Sequence, residues 1–137
     1  MEIIAGMIAD RAVSDEERGR INLEGGGVAG VAVASLPATH AELGLLLAVR
    51  LDGTERSSTI EIDLHCPDDS HRSLATAEIN IAGSRPGVVR WIALPLLDIP
   101  FDAYGPHRLE LRGAEIPTFS LQLDVRSIAG IPATRLQ

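Results

Sequence analysis

Apolar and polar residues alternate along most of this chain, in short runs divided by turn-forming residues. The cleanest run is 58–66, where Ile60, Ile62, Leu64 and Cys66 share one face and Glu61, Asp63 and His65 the other. A period of two is the mark of a half-buried β-strand. Residues 73–81 repeat it, with Ala75, Ala77, Ile79 and Ile81 set against Thr76, Glu78 and Asn80. So does 118–126, with Phe119, Leu121, Leu123 and Val125 against Ser120, Gln122, Asp124 and Arg126. Two shorter runs follow the same rule: Arg20 to Glu24, with Ile21 and Leu23 on one face, and Arg108 to Gly113, with a charged outer face.

Four runs are apolar on both faces. Residues 41–51 place Leu43, Leu45, Leu47, Val49 and Leu51 on one side and Gly44, Leu46 and Ala48 on the other. That pattern predicts a central strand. Residues 2–9 do not alternate, which suits a strand buried on both faces or covered by a partner. Residues 28–34 form a candidate buried strand that Leu36-Pro37 breaks. Residues 88–97 are apolar apart from Arg90, with Trp91 as the one large anchor. Pro95 has no N–H for a ladder, so this strand ends there or lies at an edge. The end of the chain, Ile128 to Ala133, is apolar without a visible partner, and 128–137 reads as an extended tail.

Between the runs lie turns at Asp52-Gly53, Pro67 to Ser70, Gly83 to Gly87 and Asp102 to Pro106. Ser14 to Gly19 is a charged loop. Ser14 followed by Glu17 imitates a capping box and leaves room for one helical turn before Gly19. No stretch has a helical period. About eight short strands separated by turn signals predict an all-β chain, an antiparallel β-sandwich, with a closed β-barrel as the alternative. The length of 137 residues makes 1–137 a single domain.

Composition narrows the function. The formal charge is −7, and all twelve basic residues are arginine. An acidic surface repels phosphate backbones, so no nucleic acid is expected as a partner. The absence of lysine leaves no amine for Schiff-base chemistry and no P-loop lysine. Four scattered rings, Trp91, Tyr104, Phe101 and Phe119, make a poor stacking platform. The single cysteine, Cys66, cannot form an internal disulfide and fits a reducing compartment. No signal peptide and no apolar run of about 20 residues is present, so no membrane partner is expected and a cytoplasmic location is the reading, or a virion one for a phage protein.

Three patterns invite chemistry. Gly25-Gly26-Gly27-Val28-Ala29-Gly30 formally spells a dinucleotide fingerprint, and Asp52 lies near the ribose-binding offset. The mechanism needs a helix directly after the glycines, and Val28 to Ala34 is too short and too β-branched for one. Gly25, Gly26 and Gly27 instead predict a bulge or bend that passes the chain from one edge of the sandwich to the next. The second pattern is His65 to His71, whose His65, Asp69 and His71 are the weak candidates for metal ligands. Cys66 faces the opposite side of its strand from His65, and no second cluster completes a tetrahedral set. The third pairs Asp15-Glu16-Glu17 with Asp68-Asp69 as a calcium-binding end. The four histidines, His40, His65, His71 and His107, fall in turns or on exposed faces, and none joins a catalytic grouping. No cofactor and no catalytic residue is expected.

Several of these segments resemble a family of small uncharacterised bacterial proteins, a domain of unknown function. The residues that carry the likeness are Ala9-Asp10-Arg11-Ala12, then Ile21 to Gly27, then Leu94-Pro95-Leu96. At Gly105-Pro106-His107 the chain departs from the family's Gly-x-Tyr, with His107 in the tyrosine position. The resemblance implies a β-sandwich of about this size and carries no catalytic residues.

The surplus of aliphatic residues at 2–9 and 128–133 favours a non-enzymatic module that binds protein and self-associates, or joins a larger assembly such as a phage particle or bacterial shell. The alternative is a ligand-binding or enzymatic sandwich with its site in the loops at one end.

Overall fold

A computed structural model describes residues 1–15, 17–53, 57–80 and 85–128. The described residues form nine strands and no helical element: β1 (Glu2–Asp15), β2 (Arg20–Gly26), β3 (Gly30–Val33), β4 (Ala38–Arg50), β5 (Ser57–His65), β6 (His71–Asn80), β7 (Val89–Phe101), β8 (Gly105–Gly113) and β9 (Ile116–Ser127). They make two sheets, ordered β2-β1-β4-β7 and β3-β9-β8-β5-β6. The second curves as a half-barrel and does not close, so the closed-barrel alternative is not realised.

Alternation explains the core. Leu43, Leu45, Leu47, Val49 and Leu51 from the first sheet meet Ile60, Ile62, Leu64, Leu109 and Leu111 from the second, and all are buried. β4 is the central strand that its leucines predict, between β1 and β7. Gly6 also faces inward, and a methyl there would lie 2.9 Å from Phe119 Cε1. The bare backbone of β1 thus makes room for the ring that β9 contributes.

Several expectations change. Ser14 and Asp15 belong to β1 and not to the loop, and the Arg18 N–H donates to Asp15 Oδ1 at 3.2 Å, with a turn and no helical element at 17–19. β1 is not buried on both faces within the chain, since Ile4 and Met7 are exposed. The segment 28–34 contributes only a four-residue edge strand, and β3 pairs with β9 in parallel, against the antiparallel rule of every other pair. β7 does not end at Pro95 but runs on to Phe101, and it is an edge of its sheet, the other outcome that Pro95 allows. Trp91 is 59% exposed and anchors nothing in the core; Phe101, at 0%, takes that place. Phe101 and Ile99 reach the core because the inward parity of β7 switches at Asp98, which sits at φ 52°. The tail beyond Ile128 lies outside the described residues.

The glycine cluster stands between two sheet edges. β2 is an edge of the first sheet and β3 an edge of the second. Gly25 and Gly27 hold φ values of 60° and 79°, where a Cβ is strained. The Val28 N–H then donates to the Ile8 carbonyl at 2.7 Å, and the Asp124 N–H to the Ala29 carbonyl at 2.9 Å. Gly30 opens a strand, so no helix N-terminus faces the glycines and the fingerprint has no phosphate cradle.

Candidate functional site

The principal recess is built by the first hairpin. β1 pairs with β4 only as far as Ala9 opposite Gly44, then continues paired with β2 alone. Beyond that point the β1–β2 hairpin bends over the outer surface of β4. Gly44 permits this. A Cβ there would collide with the Ala12 backbone N and lie 2.8 Å from the Ala12 Cβ and the Arg11 carbonyl carbon. Ala12 is opposite Leu23, and Ser14 opposite Ile21, so these four share the face of the hairpin that looks down on the sheet. Leu46 of β4 and Trp91 of β7 lie beneath. The space between is a groove of about 740 Å³, with Ile21 and Leu23 above, Leu46 and Trp91 below, and Ser14, Asp15, Arg20 and Arg90 at its margins.

Two arginines stand at its margin. Arg18, Arg50, Arg72, Arg108, Arg112 and Arg126 each lie within ion-pair reach of a carboxylate. No such pair is formed among the described residues by Arg11, Arg85 or the groove's Arg20 and Arg90. Arg90 Nη1 donates only a long bond, 3.5 Å, to the Asn80 carbonyl. Asp15 is already committed to the backbone N–H of Arg18 and, at 3.8 Å, to its Nε.

Beyond the groove the same outer surface stays apolar. The pairings Ala5–Ala48, Met7–Leu46, Ala48–Trp91, Leu46–Ala93 and Gly44–Pro95 put these side chains on one face. Val89 and Leu97 continue the row along β7, and Leu97 is 63% exposed. A Glu2–Arg50 pair at 3.6 Å closes one end of this face.

The outer face of the second sheet is its opposite. Glu61, Asp63 and His65 of β5 stand against Arg112, Glu110 and Arg108 of β8. Asp63 is buried, and Arg112 Nη2 reaches it at 2.7 Å and Glu61 at 3.0 Å. Such a ladder is a structural device, since each charge already has its partner.

The candidate metal ligands lie beside this ladder. The His65 and His71 rings stack with centroids 5.4 Å apart, as their cross-strand pairing requires. His65 Nε2 is 3.3 Å from Glu110 Oε2 but out of hydrogen-bond alignment. Asp69 sits in the β5–β6 turn at φ 66°. Among the described residues no three His, Cys, Asp or Glu side chains are placed to hold a metal ion. Cys66 packs against the core. Glu16 lies outside the described residues, and the other acids of the two runs are not brought together. Asp15 lies by Arg90 and Trp91 at the start of β7, whereas the Asp68 turn lies by Gly105, beyond its end. The Ser70 hydroxyl, and then its N–H, hold the Asp68 carboxyl below an ordinary aspartate.

His107 departs from the expectation of an exposed histidine. It is 2% exposed, inward with Leu109 and Leu111, and edge-on to Phe101 with centroids 5.4 Å apart. Its Nδ1 contacts the Gly105 carbonyl at 3.0 Å, so it donates there, and the buried Nε2 has no partner. It stands in the core as an aromatic plug.

The groove residues were visible in the sequence only as other things. Ile21 and Leu23 read as one face of a strand and Trp91 as the large anchor of another. The available signal was Gly44, a bare position in an otherwise leucine-rich strand, which marks close backbone approach.

The fold and its outer groove define an all-β protein of two stacked sheets in which one outer surface is apolar and exposed among the described residues. The chain belongs to a family of unknown function (DUF6941), whose profile matches residues 4–126. No curated protein matches it.

Proposed function

We propose that the protein is a non-enzymatic interaction module that self-associates through the outer face of its first sheet, alone or as a subunit of a larger assembly such as a phage particle or bacterial shell. The observation that carries this reading is the apolar row Val89, Trp91, Ala93, Pro95 and Leu97 on a free edge strand. Exposed apolar surface of that extent marks an interface. The occupant we assign is a second copy. On this face Glu2 and Arg50 are paired with each other, and Glu42 stands opposite Leu97 at the far end of the row. A two-fold axis matches the row with itself, which is why a second copy is the occupant.

Light scattering tests this. The expected result is a mass that rises with concentration and returns to the monomer in Leu97→Asp. A strictly monomeric mass at high concentration overturns the proposal. Trp91 is the only tryptophan, so its emission supplies a second readout: it shifts to the blue as the face is covered.

A second reading, a ligand-binding sandwich, is favoured by the groove under the first hairpin; a second recess, of about 680 Å³, lies at one end between Asp52 and the β8–β9 turn.

A further inference from the structure

We infer that the groove under the β1–β2 hairpin binds a small molecule with an apolar, flat or aliphatic body and a single anionic head, an apolar monocarboxylate. The inference does not depend on self-association: Trp91 belongs to both surfaces, but Leu97 lies outside the groove lining. Ligand sites of this class are concave, a few hundred to about 1,000 Å³, mostly apolar, with a few placed polar groups. The groove has that volume at about 740 Å³, with Ile21, Leu23, Leu46 and Trp91 as its apolar walls and Ser14, Asp15, Arg20 and Arg90 as its polar groups.

Charge selects the head group. In a chain of net charge −7, the groove margin carries Arg20 and Arg90, neither within ion-pair reach of a carboxylate among the described residues. Asp15, the acid at the margin, is already held by Arg18. A guanidinium receives a carboxylate in planar, two-bond geometry, so an anionic head at this margin supplies what these two side chains lack. A cationic ligand would meet two arginines there. A neutral apolar ligand would gain only the walls. The arrangement also accounts for an exposed Trp91 beside Arg90, with the ring as a surface on which the body lies.

The probes are 2-naphthoate and decanoate, each against its neutral alcohol, titrated into the full chain at fixed protein concentration. Trp91 emission and calorimetry report binding. The expected result is saturable binding of the carboxylates and weakening by about 10-fold for the alcohols and for Arg20→Gln or Arg90→Gln, the low end for a charged hydrogen bond at a half-exposed site. Both arginines are exposed, so the variants keep the fold, which circular dichroism checks. Amide shifts in the unmodified protein give an independent map, expected at Ile21, Leu23, Leu46 and Trp91. Equal affinity for acid and alcohol, no binding up to millimolar carboxylate, or shifts confined to the second sheet each overturn the proposal. Leu97→Asp separates the two readings: it abolishes self-association, and at a dilution where the parent is monomeric its carboxylate affinity equals the parent's.

Discussion

Replacing Gly44 by alanine tests whether the hairpin really folds over the sheet. The added methyl would collide with the Ala12 backbone N and approach the Ala12 Cβ to 2.8 Å. Unstrained carbon contacts begin near 3.5 Å, so β1 must lift by several tenths of an ångström at least. The obstacle is backbone, which cannot swing aside as a side chain would. Overpacking of this kind costs about 1–3 kcal/mol and occasionally more, and we take about 2–4 kcal/mol here. Alanine in a strand returns about 0.5–1 kcal/mol of backbone entropy. The net loss is about 1–3 kcal/mol, which at about 4 °C per kcal/mol lowers the melting temperature by roughly 4–12 °C. Thermal melts by circular dichroism measure it. Ala12→Gly in the same chain removes only the Cβ contact and should recover part of the loss. A Gly44→Ala protein as stable as the parent would refute the bend, and with it the groove.

Further outcomes follow from the same geometry. In the glycine cluster, Gly25→Ala should cost about 1–2 kcal/mol from its left-handed backbone, while Gly26→Ala, with nothing nearer than the flexible Met7 Sδ at 3.2 Å, should change urea stability little. Arg112→Met strips the buried Asp63 of its cation and should cost about 1–3 kcal/mol, below the fully buried case because Arg112 is half exposed; adding Asp63→Asn should recover much of it in a double-mutant cycle. Asp68 has a lowered pKa in the folded chain, so its contribution is present above the unfolded pKa and disappears as pH falls through the folded value. Asp68→Ala should therefore lower stability at neutral pH and converge with the parent in strong acid, and carboxyl NMR should show Asp68 titrating below an ordinary aspartate.

Strand period and inward faces were legible in the chain because burial imposes them locally. Ile60, Ile62 and Leu64 must point one way and Glu61, Asp63 and His65 the other, whichever strands flank them. The leucines of 41–51 likewise announce a strand at the centre of a sheet. Turn chemistry placed most of the breaks. The errors fell where an apolar residue could serve either face. Trp91 and Leu97 read as interior, since a sequence shows hydrophobicity and not the side on which a second sheet will stack. His107 read as exposed, although parity with Leu109 and Leu111 turns it inward against Phe101.

Tertiary structure alone decided what the polar groups could do. His65 and His71 are neighbours through register, yet Asp69 is held in a turn and no third ligand joins them. The acidic runs that could share a calcium ion lie at different ends of β7. The groove depends on a contact between residues 12 and 44, which no local pattern encodes, because it requires one strand to leave the plane of its sheet and cross another. Local alternation thus determined which residues form strands and most of the core. The path of the hairpin over Gly44, a long-range steric event, decided which apolar residues remain on the outside and where Arg20 and Arg90 meet a tryptophan.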